Sequence, residues 1–142
     1  MLETKIIATA EAENTGELYA TRASLHQHAL VVDESVEFGG QDRGPMPGDL
    51  LCLSLASCKV ITLRMYAQRK GWTVTQIKVR VDLVKGSQGG LGQNTFRCEL
   101  SLAGDLDEAQ RKRMLDISKA CPIQRLLAKP CEVLTTLAPE KG

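Results

Sequence analysis

The chain has 142 residues, 43% of them hydrophobic, which suits one domain over residues 1–142 with a single core. Its 18 Lys and Arg stand against 17 Asp and Glu, interspersed along the sequence, so a net charge of +1 offers no basic field for nucleic acid.

Residues 3 to 10, 17 to 24 and 26 to 32 are rich in Thr, Ile, Val and Tyr, with turn formers at Asn14, Thr15 and Gly16, and predict the strands of a meander. The opening residues MLETKIIATAEAENT contain acids and lack a small-residue cleavage site, so they do not read as a secretory signal, and the chain is expected in the cytoplasm. Residues 37 to 48, EFGGQDRGPMPG, hold four glycines and two prolines and form a long loop of the kind that often carries function.

From Asp49 to about Arg69 the pattern becomes helical, with Leu50, Leu51, Leu53, Leu55, Ile61, Leu63 and Met65, and Gly71 follows as the stop. Its first half, LLCLSLASC, has no charge on any face, which requires burial on all sides, through the middle of the molecule or across a subunit interface. The apolar run Leu50 to Ala56 falls far short of the roughly twenty residues that cross a bilayer, so no membrane span or membrane partner is expected.

Residues 77 to 85 alternate, with Ile77, Val79, Val81 and Leu83 on one face, and residues 95 to 102 do the same with Phe96, Cys98, Leu100 and Leu102 towards the core. The joining GSQGGLG reads as a hairpin loop rather than a phosphate cradle, because a strand and not a helix follows it. Asp105 with Glu108 predicts a capping box ahead of an amphipathic helix striped by Leu106, Ala109, Met114, Ile117 and Ala120. That helix ends near Cys121-Pro122; Pro122 then opens a short helix through IQRLLA, and Cys131 to Leu137 makes a last strand. Strands, a buried helix, two strands, two helices and a strand give an α+β layout.

Five cysteines, at 52, 58, 98, 121 and 131, are an odd number and argue against a structural disulfide framework. With no Cys-x-x-Cys pair there is no zinc module, and the pair His26 and His28 binds a metal only if it lies on one face of a strand. Cys58 has Ser54, Leu55, Ile61 and Thr62 at helical spacing, two of which can hydrogen-bond a thiolate. Cys121 precedes a helix start, where amide donors and the dipole favour a negative sulfur. Each thiol fits redox work, and each also fits the packing of a small hydrophobe. Cys52 and Cys58 cannot bridge within one helix, since six positions separate them by about 9 Å of rise. Cys52, Cys98 and Cys131 are read as core residues.

The run GGQDRGPMPGDLLCLSLASCKVITLRMYAQRKGW, followed downstream by KACPIQRLLA, resembles the family of osmotically inducible protein C (OsmC) and the organic hydroperoxide resistance proteins. The resemblance covers nearly the whole chain in element order. It implies the OsmC-like fold, an intertwined homodimer whose long central helices pack between antiparallel sheets, with two active sites at the subunit interface. The family's reactive cysteine maps onto Cys58 and its resolving cysteine onto Cys121. A loop arginine that holds the thiolate maps onto Arg43, with Arg22 as the alternative.

The family's glutamate follows the proline at the start of the helix, but Gly48 stands there and the nearest acid is Asp49. Asp49 either clamps the arginine or complements the helix start. The implied activity is a cysteine-based peroxidase of the oxidative stress response. In the chemistry that the resemblance implies, a hydroperoxide converts Cys58 to a sulfenic acid, Cys121 condenses with it, and a dithiol reductant of lipoyl type, rather than a flavin or metal cofactor, reopens the disulfide. An apolar wall of Leu51, Leu55 and Met65 would favour organic hydroperoxides. A redox-sensing or binding protein with the same thiols, and a structural dimer with core cysteines, are the alternative readings.

Overall fold

A computed structural model of the protein describes residues 4–86 and 93–140. In chain order it contains β1 (Glu11–Glu13), β2 (Thr21–Leu25), β3 (His28–Val32), a 3-10 turn at Val36–Phe38, α1 (Pro47–Lys70), β4 (Thr73–Val84), β5 (Thr95–Asp105), α2 (Glu108–Ser118) and α3 (Pro122–Leu127). The class is α+β with antiparallel sheets, as the pattern predicts. The chain divides into two units, Met1–Cys52 and Leu53–Gly142.

In the N-terminal unit β1, β2 and β3 form an antiparallel meander in that order, with Arg22 opposite Val31 and Leu25 opposite His28. The predicted first strand, residues 3 to 10, is not one: residues 4–10 have no regular structure, and Ile6 and Ile7 are exposed. β-branched residues favour a strand only where a neighbouring edge accepts their backbone groups, and here pairing begins at Glu11.

The glycine-rich loop is organised by Asp33, which is buried at its start. Its carboxylate accepts the amide N–H groups of Glu34 at 2.7 Å and Arg43 at 3.1 Å, while its own N–H donates to the Pro45 carbonyl at 3.0 Å. One residue thus ties down both ends of the loop. Gly44 makes this close approach possible, since a Cβ there would lie 1.9 Å from the Val31 carbonyl oxygen. Burial works against ionisation of Asp33, but the amides of Arg43, Glu34 and Gln41 and the Arg43 charge outweigh it and hold the carboxyl below its ordinary value of 3.8. A lowered folded pKa stabilises the protein above the unfolded value, and that contribution drains away as pH falls through the folded one. Acid unfolding of wild type is therefore expected to steepen below about pH 3.8, and Asp33→Asn should lose that part of the pH dependence; superimposable acid-unfolding curves would refute it.

In the C-terminal unit, β4 and β5 pair from Thr73–Asp105 to Val84–Thr95 with an irregularity between Val74 and Gln76. Gly104, opposite Val74, has φ 139°, and a Cβ there would meet the Thr73 carbonyl oxygen at 2.3 Å, so only glycine fits this bend. The glycines expected to join the strands lie largely at 87–92, outside the described residues. Leu63, Tyr66 and Ala67 of α1 pack with Val74 and Met114 to form the core, flanked by Trp72, Ile77, Leu100, Leu102, Leu106 and Ile117. Leu83 and Cys98, expected to face the core, are exposed.

The capping box of α2 is Asp107 with Gln110, not Asp105 with Glu108: the Gln110 N–H donates to Asp107 at 2.7 Å and the Asp107 N–H to Gln110 Oε1 at 2.9 Å. β5 runs on to Asp105, which pushes the helix start two residues along. The predicted last strand, Cys131 to Leu137, has no regular structure, and Val133, Leu134 and Leu137 are exposed. Alternation alone cannot supply the partner edge a strand needs.

Two expectations concern helix α1. Over its best 18-residue window its mean hydropathy is 1.5, long and apolar enough to cross a membrane by length and composition, although the core helix of a globular protein meets the same test. Leu55, Leu63 and Ala67 are buried within the single chain, whereas Leu51, Leu53, Ile61 and Met65 are exposed, so of the two settings expected for this helix the middle of one chain is not the one that covers every face.

Candidate active site

Pro47 occupies the first turn of α1, where its missing N–H is not needed, and the helix then carries Cys58 midway along its length. The second thiol comes from the α2–α3 junction. Cys121 has extended backbone angles as the N-cap of α3 with Pro122 next to it, and the Gln124 N–H donates to its Sγ at 3.3 Å. Cys58 is half-buried, Cys121 is fully buried, and both are free thiols. Cys58 lies close enough to Cys121 to raise its pKa. The structure thus adds Cys121, remote in sequence, to the neighbours Ser54 and Thr62 that helical spacing gives Cys58.

Burial pushes the Cys121 thiol above its ordinary value of 9.0, the Gln124 amide opposes this, contact with Cys58 adds to the rise, and the nearby charge of Lys59 works against it. The sequence expectation that the helix start favours a negative sulfur is thus only half met. The amide donor is in place, but desolvation outweighs it.

Lys59 went unnoticed in the sequence. It is only 3% exposed, and its Nζ donates to the Ser118 carbonyl at 2.7 Å and to Gln124 Oε1. Buried lysines are rare because an ammonium without acceptors is expensive to desolvate. The one available signal was a cation directly after the cysteine, in a helix otherwise apolar at that level.

Arg43 and Arg22 both lie in the N-terminal unit and share one carboxylate. Arg43 Nη1 stands 3.3 Å from Glu17 Oε2 and Arg22 Nη2 stands 3.0 Å from Glu17 Oε1. The acid that engages Arg43 is thus Glu17, a residue the sequence reading did not single out. Asp49 takes the plainer of its two expected parts: its Oδ2 accepts the Met46 N–H at 2.9 Å and so caps the start of α1. Gly48 has ordinary backbone angles and open space where a Cβ would stand.

Of the remaining cysteines, Cys52 is half-buried and Cys98 and Cys131 are exposed, which corrects their assignment to the core. Each sits in an element that turned out irregular or one-sided, so its side chain finds no enclosing layer. His26 lies in the β2–β3 turn with φ 56° and His28 opens β3, so the two do not share a strand face. Among the described residues no group of three or more His, Cys, Asp or Glu could hold a metal.

Beside Lys59 lies a cavity of about 390 Å³ with apolar walls that include Leu55, Phe96, Leu100 and Leu115 and with Gln124 on its rim. Of the expected apolar wall only Leu55 contributes to it; Leu51 and Met65 are exposed.

No curated protein matches the chain. Among solved structures, a candidate osmotic stress induced and detoxification response protein from Psychrobacter arcticus aligns with TM-score 0.70 and 21% identity, over 88% of this chain and 91% of that one. An OsmC-like protein from Mycoplasma pneumoniae aligns with TM-score 0.65 and 20% identity over 89% of each chain. An organic hydroperoxide resistance protein OsmC from Legionella pneumophila aligns with TM-score 0.63 and 16% identity, over 88% of this chain and 91% of that one. These likenesses establish the OsmC-like fold. The profile of the OsmC-like protein family matches residues 39–136, more than half of the sequence, and the chain belongs to that family.

Proposed function

We propose that this protein is a cysteine-based peroxidase that reduces organic hydroperoxides in the cytoplasm, with Cys58 as the reactive sulfur and Cys121 as the resolving one. The observation that carries the proposal is the nearness of Cys58 to a buried Cys121 that is remote in sequence. Membership of a family whose relatives include proteins named for organic hydroperoxide resistance supports it.

In this reading the Cys58 thiolate attacks one peroxide oxygen, the O–O bond breaks, and the departing alkoxide leaves as an alcohol after taking a proton. Cys58 is left as a sulfenic acid. Cys121 gives up its proton and attacks the Cys58 sulfur; the S–S bond forms as the S–O bond breaks, and water departs. An external dithiol, of which a lipoyl group is one example, returns both sulfurs to thiols by exchange. Arg43, with Glu17 as its carboxylate, is the proposed cation for the peroxide, and Asp49 acts through the start of α1. The apolar cavity beside Lys59, lined by Leu55 and Phe96 and by neither Cys58 nor Cys121, is of a kind that suits the hydrocarbon group of an organic peroxide. Steady-state consumption of cumene hydroperoxide with excess dithiol tests the reading, and a protein that oxidises once without turning over would be a redox sensor instead.

The same reading includes a homodimer. On α1 the exposed Ser54, Ile61 and Met65 fall on the helix face that carries Cys58, and exposed Leu53 lies beside it. An apolar stripe of this kind, unpartnered in the single chain, suits a second copy of the helix. Sedimentation is expected to show a dimer at low micromolar concentration, and Met65→Lys should weaken association by about tenfold or more, since a charge would enter the contact. A folded wild-type monomer under those conditions would dismiss the dimer.

A further inference from the structure

Lys59 follows Cys58 on α1, yet its side chain serves the other thiol. Its two acceptors, the Ser118 carbonyl and Gln124 Oε1, bracket Cys121 three residues before and three residues after it. Ser118 is the last residue of α2, so its carbonyl belongs to the negative end of that helix, where a cation is favoured. Gln124 lies in α3 and its backbone N–H donates to Cys121 Sγ, so the residue whose side chain Lys59 holds also touches the sulfur. One buried ammonium thereby joins three helices around the place where the two thiols meet.

We propose that Lys59 is a positioning residue for the thiol pair: its ammonium clamps the Ser118–Gln124 segment so that Cys121 meets Cys58, and it places a positive charge beside the resolving sulfur. The inference rests on the peroxidase reading for its part in turnover, but the clamp itself belongs to the dithiol. The groups facing Cys121 are Cys58 and Lys59 from α1 and the Gln124 amide from α3. In the resolving step the Cys121 proton must leave from a buried sulfur, and a fixed cation lowers the free energy of the thiolate formed there. Lys59→Met keeps the length of the side chain and removes both the charge and the donors. Lys59→Arg restores them in a different geometry.

The test separates the two thiols' steps and does not depend on peroxide being the substrate. The reduced protein is oxidised with one equivalent of cumene hydroperoxide and, in a parallel series, with diamide, an azo compound that takes two electrons and two protons from a dithiol. Formation of the Cys58–Cys121 disulfide is followed by peptide mapping across pH 6 to about 10, a window that brackets the ordinary thiol range. For Lys59→Met the disulfide is expected to form about tenfold more slowly at neutral pH with both oxidants, with the midpoint of its pH profile moved upward. Dimedone should still trap a sulfenic acid at Cys58 after the hydroperoxide, and Lys59→Arg should recover part of the rate.

Wild-type rate and midpoint in Lys59→Met would overturn the clamp. A wild type that reacts with diamide but not with hydroperoxide would overturn the peroxidase reading and leave the clamp standing on the diamide series. If Lys59→Met does not fold, Gln124→Ala in the same assay decides: slower bridging by about threefold or more supports the clamp, and an unchanged rate overturns it.

Discussion

Cys58→Ser is expected to end hydroperoxide consumption, with turnover falling by about a thousandfold or more, to the level of the dithiol alone. A serine hydroxyl is not ionised at neutral pH and has no sulfenic acid state, so both the attack and the later condensation lose their atom. The fold should survive, because Cys58 is only half-buried and lies outside the core formed by Leu63, Tyr66, Ala67, Val74 and Met114. Cys52→Ala, Cys98→Ala and Cys131→Ala are the comparison: none of the three is buried, and each variant should retain turnover near that of wild type. The measurement is cumene hydroperoxide loss under steady state with excess dithiol. A Cys58→Ser protein that turns over like wild type would remove the catalytic assignment entirely.

The second large effect concerns the route of oxidation. Cys58 and Cys121 are separated by 62 residues of chain, and a disulfide needs Cα atoms about 5.5 Å apart, so their bridging depends on the junction of α2 and α3 seating against α1. One equivalent of an organic hydroperoxide should give an intrachain Cys58–Cys121 disulfide in nearly every molecule, visible by mapping without reductant. In Cys121→Ser the disulfide should vanish, the sulfenic acid at Cys58 should become trappable, and further peroxide should carry it to sulfinic acid. Bridging of Cys58 to Cys52, Cys98 or Cys131, or continued turnover with no disulfide, would show that Cys121 has another role. Because burial holds the Cys121 thiol up, bridging in wild type should also quicken as pH rises towards and past 9.0, where more of that thiol ionises.

The sequence showed the parts of this arrangement whose causes are local. The helix read from Asp49 to about Arg69 is α1, which starts two residues earlier at Pro47 and stops before Gly71, Cys121-Pro122 opens α3, and the alternation of residues 77 to 85 and 95 to 102 yields the β4–β5 hairpin, because caps, prolines and side-chain period act within a few residues. Where partners decide, the pattern misled. Residues 4–10 and 131–137 have strand composition but join no ladder, and Cys98 and Cys131 are exposed where a core was expected. The site was hidden for a related reason. Lys59 stands one residue beyond the uncharged run LLCLSLASC, and a lysine in sequence is read as solvated by default; only the fold shows that Ser118 and Gln124 receive its ammonium. Glu17 escaped notice because its two arginine partners are five and twenty-six residues away.

Position 48 has a meaning in mutational terms. Its backbone is unexceptional and nothing stands where a side chain would grow, so the glycine there is not demanded by the fold. A carboxylate in the first turn of α1 would even be favoured by the helix dipole, and glutamate forms helix more readily than glycine. Any glycine codon ending in a purine becomes a glutamate codon through one base change, and the Cβ of the product meets no other atom within 4 Å. The step between this chain's Gly48 and the glutamate implied by its family resemblance is therefore open at the Cβ, a single-base exchange that would put a second carboxylate beside Asp49 in the first turn of α1.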